Sequence, residues 1–338
     1  MTNFKKILII EPNWLGDILF TTPAIRAIRQ QNPKSYIVCM THPRCVEMLE
    51  GNSCIDDIIL FDERSSHKGI LKKISFIKKL KSYKFDIVLS FHGSMTKMLT
   101  CYFAGIEKRV GYLSKKRSFL LTDSIPTPDK PLHRVEYFLN IAQSIGADTK
   151  NKNYEFSVSD DDIKDANHIL EKEGILNHDE FLIINPGGNW IPKRWSKENY
   201  SKLIKKMSEI YNKKIVITGS KKDISLADSI IKESNTKAIN LAGKTTLKQL
   251  AGLMRRSAFV ISNDSGPMHI AVSQNVPTIA LFGPTSPDIT GPYGDSRYEV
   301  IHKWSDCDIP CYKECEDYRC MENITVQDVL EALKKVTH

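Results

Sequence analysis

The chain has 338 residues, of which 41% are hydrophobic and 26% charged, and its formal net charge at pH 7 is +8. This length favours two domains of about 150 residues each, and the composition excludes an intrinsically disordered or collagen-like protein. No apolar run approaches the ~20 residues that cross a bilayer. The first apolar run ends at Glu11, too early for a secretory signal, so we expect a cytoplasmic protein.

The first half alternates apolar runs, typical of buried parallel strands, with segments of helical periodicity. Strands are predicted at 6–10, 36–40, 58–61 and 85–90, and a helix from 18 to about 33. Apolar residues at 70, 74, 77 and 80 predict a second helix between the last two strands. This alternation predicts a parallel sheet built from βαβ units.

The same alternation resumes after a predicted helix over 160–173, which begins as helices typically do, with Ser159 followed by three aspartates. Further strands are predicted at 181–184, 214–218, 238–241, 258–262 and 277–282, with helices at 197–211 and 326–336. We expect an α/β protein with two Rossmann-like domains whose parallel sheets face a central cleft. The expected divisions are 1–158, 159–322 with the linker helix, and a C-terminal helix over 323–338 that packs back on the N-terminal domain.

The loop after the first strand contains a single glycine, Gly16, and therefore lacks the G-x-G-x-x-G pattern of nicotinamide dehydrogenases. Asp17 follows it at the start of the first helix, at the sheet edge where open α/β sheets bind ligands. Two interpretations of Asp17 remain open, a helix cap and a general base.

Positive charge is concentrated between Arg64 and Arg117, where 14 Lys and Arg residues accompany two acids. A solvated lysine-rich face is one interpretation, and a surface for an anionic partner is the other. Aromatic residues are not interleaved as in single-strand nucleic-acid sites, so nucleic acid is not expected as the partner.

The eight cysteines form two sets. Four are scattered through the first half and are interpreted as small buried side chains. The others are Cys307, Cys311, Cys315 and Cys320, whose spacing lacks the paired C-x2-C knuckles of zinc sites. We therefore expect no metal there, and reduced structural thiols or a disulfide instead.

Two glycine-containing segments follow strands of the second half. The segment 185–189 is followed by Lys193 and Arg194, and together they suggest a phosphate-binding site. The alternative interpretation is a solvated surface turn. The segment Gly243-Lys244-Thr245 fits a relaxed P-loop pattern, but its strand lies inside the pattern rather than before it. A turn into a helix near Thr246 is therefore expected there.

The segment 262–269 carries the strongest local pattern, because a buried strand is followed by a polar turn and then by a helix that starts near Gly266 or Pro267. The free N–H groups at such a helix start attract anions. His269 would lie within about the first turn of this helix.

Short motifs in a fixed order span nearly the whole chain. They are LGDI at 15–18, TPAI at 22–25, FDIV at 85–88, HGS at 92–94, HRVEY at 133–137, NPG at 185–187, KRW at 193–195, NLAGKT at 240–245, DSGPMH at 264–269 and FGPT at 282–285. This series resembles glycosyltransferase family 9, the heptosyltransferases of bacterial lipopolysaccharide. The cysteine-rich tail is similar to that of the enzymes that add the second heptose.

The resemblance implies a GT-B fold and inverting, metal-independent transfer of a heptose from ADP-heptose to the lipopolysaccharide inner core. It implies no cofactor, and an enzyme peripheral to the cytoplasmic face of the inner membrane, with the basic stretch facing the anionic acceptor. Asp17 would be the catalytic base and Lys193 would contact the donor phosphates. The remaining donor residues would be Gly187, Arg194, Asp223 (where the family usually has Glu), Gly243, Asp264, Ser265, Gly266 and His269. The acceptor residues would be His92, Ser94, Lys115 and Arg117.

Other functions stay open at this point. One is a family 9 transferase with a different nucleotide-sugar or acceptor. A second is a nucleotide-sugar epimerase of GT-B shape, and a third is a non-catalytic anion-binding protein at the membrane.

Overall fold

The computed structural model of the protein describes residues 4–114, 117–211, 213–303 and 318–337. The chain divides into two compact units, Met1–Ser157 and Val158–His338. Each unit contains one parallel sheet with helices between successive strands. The α/β class expected from the alternating pattern is therefore confirmed.

The first unit is built on six parallel strands within its described residues. The strands are β1 Lys6–Ile10, β2 Tyr36–Thr41, β3 Asp57–Leu60, β4 Ile87–Ser90, β5 Lys108–Tyr112 and β6 Asp123–Ile125. The helices are α1 Leu15–Gln31, α2 Ile70–Tyr83, α3 Met95–Phe103 and α4 Arg134–Gln143. The strand order is β3-β2-β1-β4-β5-β6.

The second unit repeats this plan, again with six parallel strands among the residues described. The strands are β7 Phe181–Asn185, β8 Lys214–Ile217, β9 Ile239–Asn240, β10 Val260–Asn263, β11 Thr278–Phe282 and β12 Tyr298–His302. The helices are α5 Asp160–Lys172, α6 Lys197–Ile210, α7 Ile224–Ser234, α8 Leu247–Arg256, α9 Gly266–Ser273, α10 Pro287–Thr290, α11 Arg319–Glu322 and α12 Val326–Thr337. The strand order is β12-β11-β10-β7-β8-β9.

The strand order of each sheet reverses beside its first strand. In the first unit the reversal lies between β1 and β4, and in the second unit between β7 and β10. Loops that leave the carboxyl ends of two such strands diverge, and ligands of open α/β sheets bind in the crevice between them. The loops after these four strands are therefore the places where each unit can hold a ligand.

The start of α5 follows directly from its sequence. The Ser159 hydroxyl accepts a hydrogen bond from the Asp162 N–H (3.1 Å), and the Asp162 carboxylate accepts one from the Ser159 N–H (2.9 Å). This reciprocal capping box confirms the helix start predicted at Ser159. The Ser159 hydroxyl also donates to the Asp162 carboxylate (2.6 Å), and this bond, together with the one from the Ser159 N–H, lowers the pKa of Asp162 below its usual value.

Helix α1 continues through an internal proline, Pro23. Proline has no N–H to donate to the carbonyl of Leu19, four residues earlier. The Thr22 hydroxyl donates to that carbonyl instead (2.7 Å). The same hydroxyl accepts the N–H of Glu155 (2.9 Å), so the helix is unbroken and fastened to the end of its unit.

The last helix, α12, packs on the sheet of the second unit. Its side chains Val329, Leu333 and Val336 are buried in the same core as Leu281 and Ile301. The apolar face of α12 is thus used inside the second unit.

A buried lysine fastens the loop that follows β1. Lys97 on α3 is 2% exposed, and its ammonium donates to the backbone carbonyl of Glu11 (3.0 Å) and to the Asn13 side-chain carbonyl (2.9 Å). The Glu11 side chain is also fully buried and accepts the Thr21 hydroxyl (2.8 Å). Desolvation raises the pKa of Glu11 to about 7 and lowers that of Lys97 to about 8, while their mutual attraction partly opposes both shifts.

The pKa of Glu11 predicts how stability depends on pH. A carboxyl whose pKa is higher in the folded state binds its proton more tightly there. Its contribution to the free energy of unfolding is therefore greatest at low pH and is lost as the pH rises through about 7. Between pH 5 and pH 7 the loss is about 2 kcal/mol. We expect Glu11→Gln to remove this component of the pH dependence, measured by urea unfolding at both pH values.

Glu107→Gln is the matched control, because Glu107 is an exposed carboxylate of the same unit. It should keep the wild-type dependence. A Glu11→Gln protein with an unchanged difference between pH 5 and pH 7 would contradict the assignment of this component to Glu11.

Candidate active site

An ion pair lies at the strand-order reversal of the second sheet. The Lys193 ammonium, in the loop after β7, is 2.6 Å from a carboxylate oxygen of Asp264, which follows β10. The Thr285 hydroxyl, after β11, donates to the same oxygen (2.6 Å). The Asp264 side chain is only 5% exposed, whereas that of Lys193 is 23% exposed. Three loops thus meet at Asp264 and present one partly accessible cation.

The side chain of Asn263, the last residue of β10, holds the loop after β7 in place. Its amide NH2 donates to the carbonyls of Pro186 (2.8 Å) and Gly187 (3.2 Å). Its side-chain oxygen accepts the Trp195 N–H (3.2 Å) and the Tyr200 hydroxyl (2.9 Å). Asn263 is fully buried. It therefore positions Lys193 by fixing both ends of the loop, a role that the sequence analysis did not identify.

The N-terminus of α9 adjoins Asp264. Ser265 is its N-cap residue, but the Ser265 side chain makes no capping hydrogen bond. The Ser265 hydroxyl lies 3.1 Å from the Ser262 hydroxyl instead. Helix α9 begins at Gly266, as predicted, and His269 is buried within its first turn or so. A helix start of this kind, next to Lys193, is electrostatically suited to an anion.

Asp223 is packed between two glycine-containing loops. One of its oxygens accepts the N–H (2.9 Å) and the hydroxyl (2.6 Å) of Ser220, and the other has the Arg194 guanidinium at 3.4 Å. A Cβ atom at Gly187 would lie 2.7 Å from the Asp223 carboxylate, so this contact requires glycine. The carboxylate is buried and anchors its own turn, and its part in donor binding stays a prediction.

Arg194 and Gly243 complete this edge of the sheet. The Arg194 guanidinium donates to the carbonyl of Gly188 (2.8 Å), so it is held against its own loop. Gly243 has a φ of +72° and donates its N–H to the carbonyl of Gly219 (2.8 Å). The turn after Gly243 leads into α8, which Thr246 caps, as the sequence analysis predicted in place of a P-loop.

The first unit places Asp17 at the third residue of α1. The N-cap is Trp14, so the interpretation of Asp17 as the helix cap is wrong. The Asp17 carboxylate is 22% exposed, and the side chain of Arg134, the first residue of α4, approaches it to 3.9 Å. The Arg134 guanidinium lies over the ring of Tyr137, 5.4 Å from its centroid. Asp17 is therefore a partly accessible carboxylate next to a cation.

Three of the predicted acceptor residues come together in and around the loop after β4. The His92 imidazole accepts the Ser94 N–H (3.0 Å), and the Ser94 hydroxyl caps α3 by accepting the Lys97 N–H (3.2 Å). The buried Arg117 guanidinium donates to the His92 carbonyl (2.7 Å). Burial, together with Lys97 and Arg117, lowers the pKa of His92 to about 4, so this imidazole is neutral at pH 7.

Several of the predicted residues fall outside the part of the chain that the structure describes. They are Lys115, Cys307, Cys311 and Cys315. Cys320 is described, and it lies on α11 against Gly283, where an added Cβ would be 3.1 Å from its sulfur. The scattered cysteines Cys39, Cys45, Cys54 and Cys101 are buried free thiols, as predicted.

Among the described residues, no cluster of three or more His, Cys, Asp or Glu residues has the arrangement to hold a metal ion. Of the helices in these ranges, none combines the length and the hydropathy needed to cross a membrane.

Comparison with solved structures supports the fold. The structure of a glycosyl transferase family 9 protein from Veillonella parvula superposes with a TM-score of 0.91, at 24% identity, over 100% of this chain and 98% of that one. E. coli ADP-heptose LPS heptosyltransferase II superposes with a TM-score of 0.80, at 26% identity, over 98% of both chains. The predicted GT-B class, with two Rossmann-like domains, is confirmed.

Sequence comparison agrees with the structural one. Lipooligosaccharide heptosyltransferase 2 of Campylobacter jejuni is 27% identical over 98% of this chain and 99% of its own length. The family model of glycosyltransferase family 9 (heptosyltransferase) matches residues 73–321, well over half of the chain. The chain therefore belongs to glycosyltransferase family 9.

Proposed function

We propose that this glycosyltransferase moves a heptose from ADP-heptose to the inner core of lipopolysaccharide, with inversion at the anomeric carbon and without a metal ion. Two of the relatives named above are heptosyltransferases by name, and one of these two is named for ADP-heptose. The observation that carries the proposal is the Lys193–Asp264 pair beside the start of α9, at the strand-order reversal of the second sheet.

The chemistry of this site suits a nucleoside diphosphate donor. The leaving group carries negative charge that must be stabilised as the sugar departs. Lys193 supplies an ammonium, and the uncapped start of α9, with Ser265 and Gly266, supplies N–H groups and a positive helix end. Because Gly187 and Gly243 have no side chains, a ligand can approach the backbone closely at these positions. The proposed donor site also includes Arg194, Asp223, Asp264 and His269.

The acceptor is proposed to bind the first unit. Asp17 takes the proton from the acceptor hydroxyl as that oxygen attacks the anomeric carbon and the bond to the diphosphate breaks. Arg134, 3.9 Å from Asp17, attracts both this carboxylate and an anionic acceptor. His92, Ser94, Lys115 and Arg117 are the proposed acceptor contacts, and the neutral His92 would act as a hydrogen-bonding group rather than as a cation.

The proposed place of action is the cytoplasmic face of the inner membrane, where the basic stretch from Arg64 to Arg117 would face the anionic acceptor. A family 9 transferase with another nucleotide-sugar or acceptor is the second candidate. The family match does not support the epimerase interpretation, because the matched family is one of glycosyl transfer.

The first prediction of this proposal concerns Lys193. ADP should bind and raise the melting temperature more than GDP or UDP does, since ligand binding stabilises the folded state. Lys193→Ala should raise the Kd of ADP about ten- to a hundredfold, because a charge-assisted phosphate contact contributes ~1.5–3 kcal/mol. Both quantities are measured by calorimetric titration and thermal unfolding.

Two variants control this experiment. Lys197→Ala removes an exposed ammonium paired with Glu233 on the same unit, and it should leave the Kd of ADP unchanged. The second control is the double variant Lys193→Ala/Asp264→Asn, in which Asp264 no longer carries an unpaired charge. Comparing its Kd for ADP with that of Lys193→Ala shows how much of the lost affinity comes from leaving the Asp264 carboxylate without its cation. An unchanged Kd for ADP in Lys193→Ala would contradict the assignment of Lys193 to the donor phosphates and would make Arg194 the candidate for that contact.

The second prediction concerns Asp17. Asp17→Asn should lower the turnover of sugar transfer ~10²–10⁴-fold, the usual contribution of a positioned general base. The melting temperature should stay close to wild type, because the side chain is isosteric and does not cap α1. The Kd of ADP should also stay unchanged, because the proposed nucleotide site lies in the other unit. Full activity in Asp17→Asn would overturn the assignment of the base.

The third prediction concerns metal. If cationic side chains and N–H groups neutralise the leaving diphosphate, treatment with EDTA should leave the transfer rate within about twofold of its starting value. Elemental analysis of the reduced protein, with its four C-terminal cysteines, should find well under one zinc or iron per chain. About one metal per chain, or activity restored only by a divalent ion, would contradict this.

A further inference from the structure

Helix α2 carries three apolar side chains that are exposed to solvent. Ile70 is 71% exposed, Leu71 79% and Ile74 43%. They lie among the first five residues of α2 and within about 100° of one another around the helix axis. We call these three exposed aliphatic side chains the Ile70 patch.

The Ile70 patch is not needed to hold α2 in place. Phe76 (3% exposed) and Leu80 (fully buried) point into the core of the first unit from the other side of the helix. With that contact made, the sequence could have placed polar residues at 70, 71 and 74 without cost to the core. An exposed apolar patch with no role in the core indicates an interaction site.

The charged residues of α2 are all basic. Five lysines lie on α2 itself, Lys72, Lys73, Lys78, Lys79 and Lys81, and the sequence has no acidic residue from 64 to 85. In the described part of the chain, none of these five ammonium groups has a carboxylate within 4.0 Å. The cations are available to an external anionic surface.

We propose that α2 is an interfacial helix that binds an anionic phospholipid bilayer, with the Ile70 patch inserted among the lipid headgroups and its lysines on the lipid phosphates. A helix with an apolar sector and a lysine-rich face lies in a membrane interface in this way. A stable protein partner would need an interface of about 1,000 Å² or more, and complementary acids would have to face each lysine. Three aliphatic side chains within a basic field fit a bilayer better.

This inference deepens the proposed function, since it names the surface and the lipid class through which the enzyme would reach a membrane-bound acceptor. It does not depend on which sugar is transferred. Binding to vesicles needs neither the nucleotide nor the acceptor, and ADP binding reports on the other unit. The two proposals can therefore fail separately.

The test is co-sedimentation of the full chain with vesicles. We expect binding to vesicles of phosphatidylethanolamine and phosphatidylglycerol, weak binding to phosphatidylcholine alone, and release by salt. The variant Ile70→Ser/Leu71→Ser/Ile74→Ser should lower the partition coefficient at least tenfold. Lys78→Gln/Lys81→Gln should lower it by about fivefold per lysine and reduce its salt dependence.

Helix α6 of the second unit provides matched controls. It has an exposed isoleucine, Ile210 (62% exposed), and exposed Lys205 and Lys206, but its sequence also contains Glu198 and Glu209. Ile210→Ser and Lys205→Gln/Lys206→Gln should leave vesicle binding unchanged. All variants should keep the wild-type Kd for ADP and its melting temperature, which shows that they are folded.

Three results would overturn the proposal. They are no binding of the wild-type chain to phosphatidylglycerol vesicles, an unchanged partition coefficient in the Ile70 patch variant, and equal losses in the α6 controls. Vesicle binding as predicted, in a protein that binds no ADP, would leave this inference standing and would count against the proposed function instead.

Discussion

The candidate donor site depends on the four hydrogen bonds of one buried amide, Asn263. A parallel sheet whose strand order reverses has two loops that diverge at the reversal, and nothing in the strand pairing holds them together. Asn263 ends β10, and its side chain bonds to both ends of the loop after β7. Each donor and acceptor of the fully buried amide is used, so one geometry is strongly preferred over others.

In the first unit a buried ammonium, that of Lys97, holds together the loops that diverge at the strand-order reversal. Lys97, on the helix after β4, bonds to the carbonyl of Glu11 and to the side chain of Asn13 in the loop after β1. The contacts of Lys97 connect the elements after β4 and β1, on the two sides of the strand-order reversal. The contacts of Asn263 do the same for β10 and β7. A buried ammonium is costly unless it is paired, and Glu11 provides part of the compensation. The loop that leads to Asp17 is thus fixed by a long-range polar contact.

The sequence was sufficient to predict most of the strands because most are continuous apolar runs covered on both faces. Strands β5, β6 and β12 were missed. Strand β5 begins with Lys108 and Arg109 and contains Gly111, a composition that resembles a loop. Strand β4 was predicted to begin at 85 but begins at Ile87. The Asp86 N–H donates to the Lys6 carbonyl (3.0 Å), and the Asp86 carboxylate accepts the N–H groups of Lys5 and Lys6. Local composition does not reveal these long-range contacts at the strand start.

The site was predicted in part. Motifs located the loops at 185–195 and 262–269, because glycines, cations and a helix start leave a local pattern. The contacts that join those loops were not predictable, since Asn263 and Pro186 are 77 positions apart and an asparagine after a buried strand has many possible roles. The same holds for Thr285, whose hydroxyl shares an oxygen of Asp264 with Lys193. Distinguishing a positioning residue from a ligand contact requires the three-dimensional arrangement.

The central claim is that a nucleoside diphosphate binds where the loops after β7 and β10 diverge. Amide hydrogen exchange of the full chain, with and without saturating ADP, tests it most directly. The account predicts slower exchange at 186–194 and 264–269, with smaller effects at 219–223 and 243–246, and no change at the opposite edge of the same sheet, 174–180 and 235–238. Protection at that opposite edge, or none in the two principal loops despite bound ADP, would contradict it.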